Sequence, residues 1–276
     1  MRHKSNIGKI IIAVVIIVLV TAGIIYFGYV FFQAEKVEVS GNGKYTDIYI
    51  TNLANIPDET HMLMLNTEEI KANIEESEPY LEVLNIKKKL PQTVLIEVKE
   101  RQPQALIAYV DKFLLADDNG NILEILDELP ENRKYPVIEG FAVSSVSLGR
   151  TIGTDDTFKI TVMSEILTAL ENRQITDSIY SIDLSDINNI RMLTPDNLSI
   201  KFGQADKIVD KIKWIDRMLP TLKRDGRTSG VLDVSAGTFA TYKKDEESDA
   251  SAASQGTGEF APIPSETPEI SEPNEE

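Results

Sequence analysis

Side chains that move protons, attack carbonyls or hold metals are scarce in this chain. It has no Cys and two His among 276 residues. Zero Cys excludes disulfide scaffolds, thiolate zinc sites, Fe–S clusters and a Cys nucleophile. It does not fix the compartment, because a disulfide-free envelope protein is also feasible. Two His leave little room for a His-rich metal site or a His-based triad. Two acid pairs are the strongest catalytic candidates, Asp117/Asp118 and Asp183/Asp186, since paired carboxylates can work as general acid and base. The first pair opens Asn119-Gly120-Asn121, where turn chemistry accounts for both acids. The second pair reads as a solvated strand end. No other group supports a reaction at either place. His61 has no nucleophile motif matched to it and reads as a loop residue. Gly43-Lys44 fails as a phosphate loop, with Glu38 where Gly is needed and Tyr45 where Ser or Thr is needed. The expectation is a non-enzyme with no catalytic residue, no metal, no cofactor and no small-molecule substrate.

Charge points the same way. The chain carries 28 Lys+Arg against 44 Asp+Glu, a net −16, which argues against a nucleic-acid binder. The imbalance is uneven. Residues 1–9 hold Arg2, Lys4 and Lys9 and no acid, and residues 245–276 hold ten acids and no base. The body between them carries −9. Residues 10–32 contain no charge, and as a helix they measure roughly 34 Å, enough for a hydrocarbon core of about 30 Å. A cleaved signal peptide is the competing reading. The apolar run continues for ten residues past Ala22, too long for an ordinary signal. Tyr26, Tyr29, Phe31 and Phe32 gather where rings favour the membrane interface. The positive-inside rule keeps residues 1–9 as a cytoplasmic stub and exports the chain after about Gln33. Residues 245–276 are rich in Ser, Glu and Pro and read as a disordered acidic tail.

The exported body divides in two. Alternation over 36–40 predicts a strand, and Gly41-Asn42-Gly43 a turn. A helix follows through Leu53, and Thr67-Glu68-Glu69-Ile70 opens another, capped by Thr67 or Asn66 and closed at Pro79. Residues 81–87 and 93–100 alternate around Leu90-Pro91-Gln92, predicting a hairpin with Leu81, Val83 and Asn85 on one face. The sum over 36–104 is β-α-α-β-β, a small α+β domain. Beyond it, Asp118-Asn119-Gly120-Asn121 signals a tight turn. Phe158, Val162, Ile166 and Leu170 predict a helix over 155–171. Ile208, Ile212, Ile215 and Leu219 predict another over 204–219. Short strands are expected at 179–184, 190–193, 198–202 and 231–242, giving a second, β-rich domain over 105–244 with two helices.

The first domain resembles the POTRA (polypeptide-transport-associated) domain of the FtsQ/DivIB cell-division family. The likeness rests on Val37-Glu38-Val39-Ser40-Gly41-Asn42, on Thr67-Glu68-Glu69-Ile70, and on Pro79-Tyr80-Leu81-Glu82-Val83-Leu84-Asn85-Ile86-Lys87. Its most specific run is Leu90-Pro91-Gln92-Thr93-Val94-Leu95-Ile96-Glu97-Val98-Lys99-Glu100-Arg101-Gln102-Pro103-Gln104-Ala105. Tyr135-Pro136-Val137-Ile138-Glu139-Gly140, Leu148-Gly149 and Gly230-Val231-Leu232-Asp233-Val234-Ser235 continue it through the second domain. The bacterial setting this implies makes the sequon Asn197-Leu198-Ser199 a chance match.

The last strand is the residue-level candidate for a site. If regular, it places Leu232, Val234, Ala236, Thr238, Ala240 and Tyr242 on one face, with Gly237 marking a bulge. Being last, it is either an ordinary strand with a buried face or a sheet edge open to another chain. The resemblance implies the second, because FtsQ-family relatives hold FtsB/DivIC-type partners through this region. Carried over by position, it nominates Thr238, Phe239, Ala240, Thr241 and Tyr242 as partner-binding residues. It also implies FtsL as a partner, attachment to the lipid bilayer of the cell membrane, location at the division septum, and a scaffold role in septal peptidoglycan synthesis. Two alternatives are an assembly or secretion adapter with a single POTRA module and a membrane-anchored envelope enzyme. The first would favour tandem copies or a following barrel, and the second a convergent catalytic set.

Overall fold

The structure, a computed structural model, describes residues 7–244. Arg2 and Lys4 of the basic stub and the acidic tail over 245–276 lie outside the described residues. Helix α1 (Ile7–Phe31) contains a candidate membrane span, Lys9–Phe31, none of whose most apolar window is buried within the fold. A helix apolar all round and covered by no protein has the length and composition to cross a bilayer.

Strand β1 (Lys36–Ser40) leads to α2 (Asp47–Ala54) and α3 (Thr67–Ser77). Strands β2 (Leu81–Lys89) and β3 (Thr93–Glu100) complete a three-stranded sheet in the order β1-β3-β2. β1 runs parallel to β3 and β2 antiparallel to it. Caps explain the helix starts. Thr46 accepts from the Tyr49 N–H, and Asn66, not Thr67, accepts from the Glu68 and Glu69 N–H groups. Ile50, Ala54, Ile70 and Ile74 of the helices close over Leu81, Val83, Val94, Ile96 and Val98 of the sheet. The expected face of β2 changes partway. The register shifts between Val83 and Asn85, so Ile86, not Asn85, pairs with Ile96 and packs on the core. One extra residue in a bulge moves every later side chain to the other face.

The second domain is built on a nine-stranded sheet. Its strands are β4 (Ala105–Tyr109), β5 (Lys112–Ala116), β6 (Ile122–Leu126), β7 (Val137–Glu139), β10 (Ser181–Asp183), β11 (Ile190–Leu193), β12 (Ser199–Gly203), β13 (Val231–Asp233) and β14 (Thr241–Lys243). The order is β14-β13-β12-β11-β10-β7-β4-β5-β6. A separate two-stranded ribbon pairs β8 (Val143–Ser145) with β9 (Gly153–Thr154). Helix α4 (Thr157–Asn172) lies in the crossover between parallel β7 and β10, and α5 (Ile208–Arg224) in that between parallel β12 and β13. Val162, Ile166 and Leu170 of α4 and Ile212 and Ile215 of α5 share one core with Ile107, Leu114, Ile138, Ile182, Ile200 and Leu232. Phe158, expected on the buried face of α4, is 54% exposed. Helix α5 begins and ends later than the sequence pattern suggests, running through Pro220 to Arg224.

Candidate functional site

The expected strand over 231–242 is two strands. After β13 the chain turns, and β14 comes back antiparallel to it, with Val231 opposite Lys243 and Leu232 opposite Tyr242. The local sequence dictates the reversal. The Asp233 carboxylate accepts from the Ser235 N–H at 3.0 Å and its hydroxyl at 2.6 Å, an Asx-type turn that ends β13. Burial pushes this carboxyl up, but the Ser235 bonds and Lys201, 3.1 Å away, outweigh it and hold it below its ordinary value. Gly237 follows at φ +72, donating its N–H to the Val234 carbonyl at 3.0 Å. A Cβ here would sit 3.0 Å from Lys207 Cδ in a conformation L-residues disfavour. The Gly237 bulge of the sequence reading is thus a full reversal, and Leu232 and Tyr242 face the same core from two paired strands rather than along one.

The five nominated residues accordingly play different parts. Thr238 and Phe239 lie in the connection and are exposed, Phe239 at 59%. Ala240 packs against the domain core. Thr241 is exposed on β14. Tyr242 holds the hairpin down: its hydroxyl donates to the Ser229 carbonyl at 2.8 Å, and the Arg227 guanidinium sits 5.6 Å from its ring centre. Strand β14 is the last of the nine and has a strand neighbour on one side only among the described residues. An edge strand of this kind can add another chain through its outward N–H and C=O groups. A groove of about 380 Å³ lies nearby, lined in part by Asp196, Leu219, Lys223 and Arg227.

The catalytic candidates separate. Asp117 is buried and accepts from the Asn119 N–H, the Asn121 N–H and the Asn121 amide, whereas Asp118 only meets the Asn119 amide. Asp183 and Asp186 each accept from a backbone N–H two residues on, Ser185 and Asn188. Asp117, Asp183 and Asp186 are thus engaged by backbone N–H groups of their own turns, the second pair included, which the sequence had placed at a solvated strand end. No group of three or more His, Asp or Glu able to hold a metal occurs among the described residues.

Sequence reasoning missed two sites. His61, taken as a loop residue, stacks on Tyr29 with ring centres 5.5 Å apart and lies 6.2 Å from Phe32. Arg101, read only as part of a motif, is the buried link between the domains. Its Nη1 donates to the Pro79 and Leu81 carbonyls at 3.0 Å and reaches the Gly149 carbonyl at 3.5 Å. Its Nη2 lies 3.6 Å from Glu75 and its Nε 3.5 Å from Asp117. Nε has no hydrogen-bond partner, so the tie to Asp117 is Coulombic alone. Around it, Arg150 pairs with Glu76 at 2.8 Å and the Tyr80 hydroxyl donates to Glu124. The local pattern shows only a charge that ends an alternating run before Gln102-Pro103; its partners come from residues 16 or more positions away.

An apolar helix long enough to cross a bilayer thus precedes a β-α-α-β-β domain and a large mixed sheet that ends in an edge hairpin. Residues 32–101 match the family model "POTRA domain, FtsQ-type", and residues 105–235 match "Cell division protein FtsQ/DivIB, C-terminal". The chain belongs to the FtsQ/DivIB family of cell-division proteins, which is non-enzymatic. It is 27% identical over 210 residues to the cell division protein DivIB of Clostridium tetani, covering 76% of this chain and 78% of that one. It is 24% identical over 216 residues to DivIB of Staphylococcus aureus, covering 76% of this chain and 46% of that protein, less than half its length. The solved major extracytoplasmic domain of DivIB from Geobacillus stearothermophilus shares 15% identity. That likeness covers 46% of this chain and 98% of the domain at a TM-score of 0.32, too distant to bear on the fold.

Proposed function

We propose that this chain is a membrane-anchored divisome scaffold whose terminal hairpin captures FtsB/DivIC-type partners by adding one of their strands to β14. Helix α1 holds it in the cell membrane with residues 1–9 in the cytoplasm, and the two folded domains face outward at the septum. FtsL joins the same complex, which regulates septal peptidoglycan synthesis. The observation that supports this reading is the place of β14 at the end of the nine-stranded order, with exposed Phe239 beside it. Backbone bonding along an open edge gives affinity, and a neighbouring aromatic gives selectivity.

The test is a pull-down of a purified FtsB/DivIC-type protein by the full chain in detergent. Phe239→Ala removes an exposed ring that is absent from the domain core, so its circular dichroism should match the parent. Capture should weaken by roughly tenfold, as for a moderate interface anchor. Undiminished capture by this folded variant would sink the assignment.

A further inference from the structure

We infer that the first folded domain makes a second contact with the bilayer, through a rim that surrounds the exit of α1. This rests on the reading of α1 as a membrane span. The domain does not hang from a free linker. The Met62 N–H donates to the Phe32 carbonyl at 2.7 Å, and the Ala34 N–H to the Thr60 carbonyl at 2.9 Å. Gln33 and His61 form a bridge, and His61 stacks on Tyr29, which lies within the candidate span. On the other side, the Glu35 and Lys36 N–H groups donate to the Gln92 carbonyl at 3.0 and 3.1 Å. The loop around residue 61 and the tip of the β2–β3 hairpin therefore both clasp the first residues after the helix. Lys88 ties them to each other, donating to the Leu65 carbonyl at 2.7 Å.

The side chains at this rim suit a lipid surface. Leu63 is 71% exposed, Met64 79% and Leu90 54%. The flanking strand row is Lys36, Thr93 and Lys89, and Lys87 and Lys88 are exposed beside it. Lys36 begins β1 five residues after the end of α1 and so lies within about 17 Å of the helix end, with Thr93 and Lys89 one and two strand spacings of about 5 Å beyond it. Apolar tips at the headgroup boundary with lysines above them form the usual pattern of an interfacial contact. Asp58, Glu59, Glu35 and Glu38 also lie near; Glu38 pairs with Lys36 and acts on Lys89, so the attraction to lipid comes from the Lys87-to-Lys89 run, whose three charges are offset only in part. The occupant is the outward leaflet itself, with anionic phospholipid headgroups opposite those lysines.

The absence of native Cys makes single-site labelling clean. Full chains carrying Leu63→Cys, Met64→Cys or Leu90→Cys would bear an environment-sensitive dye in nanodiscs of phosphatidylcholine with or without phosphatidylglycerol. Ile17→Cys reports the span, and Val110→Cys, at 92% exposure on the second domain, reports water. Emission at 63, 64 and 90 should be blue-shifted relative to 110 and quenched by lipid-borne quenchers. Phosphatidylglycerol should strengthen both effects, and Lys87→Gln/Lys89→Gln should remove that dependence. Water-like emission at 63, 64 and 90 with a lipid-buried 17 overturns the rim contact alone. Water-like emission at 17 overturns the anchor reading instead.

Discussion

Arg101 gives the sharpest test of how the two domains are joined. Glu75, Arg101 and Asp117 are 3%, 7% and 4% exposed, so the charges have little water to fall back on. An arginine stays protonated even when buried. Arg101→Met keeps much of the volume and removes the charge. Asp117 loses its cation, Glu75 keeps only Lys71, at 3.9 Å, as an ion-pair partner, and the Pro79 and Leu81 carbonyls lose a charged donor. Removing one partner of such a set costs about 3–5 kcal/mol near pH 7. The pH dependence carries the reasoning further. Burial pushes the Asp117 carboxyl above its ordinary value, while its hydrogen bonds and Arg101 pull it back. A carboxyl raised on folding binds more protons in the folded state, so its contribution to stability falls as pH climbs from about 3.9 through the folded value. Without Arg101 that folded value rises further, and the fall becomes larger. The penalty of Arg101→Met should therefore be greatest near neutrality and shrink as the pH falls through the raised Asp117 value towards the ordinary one of about 3.9. Urea unfolding of both full chains in detergent, followed by circular dichroism across that range, measures it. A penalty under about 1 kcal/mol near pH 7, or one flat with pH, would mean that the pair is screened like a surface bridge and would refute the argument.

Other perturbations probe single contacts. Gly149 and Gly226 share φ near +70, but a Cβ at Gly149 would lie 2.0 Å from the Glu75 carbonyl oxygen while one at Gly226 meets nothing. Gly149→Ala should therefore cost roughly 1–3 kcal/mol more than Gly226→Ala in the same unfolding assay; equal costs would show that the domains do not meet there. Asn66→Ala removes the cap of α3 and should cost about 1 kcal/mol, with Asn66→Asp or Asn66→Ser largely restoring it. Tyr242→Ala should weaken partner capture together with hydrogen-exchange protection of β13 and β14, since Tyr242 pins the hairpin, whereas Phe239→Ala should affect capture alone.

What the sequence determined by itself was what is local. An unbroken apolar run needs no neighbour to be recognised as a candidate span, and caps such as Asn66 and turns such as Asp118-Asn119-Gly120-Asn121 act within a few residues. Alternation placed β2 and β3 and their hairpin, because a half-buried strand repeats every two residues. It failed at Leu84, where a bulge invisible to the pattern turned Ile86 inward in place of Asn85. The terminal segment failed for a related reason: 231–242 looked continuous in β-forming residues, yet Asp233, Ser235 and Gly237 together reverse it. Only the tertiary structure decided that β14 ends a nine-stranded order, that Arg101 joins Glu75 to Asp117, and that His61 meets Tyr29. Each of those facts pairs groups far apart in the chain. Local preference does not encode them; they follow from the way both cores close, because burying the apolar faces fixes which loops and edges are left beside one another.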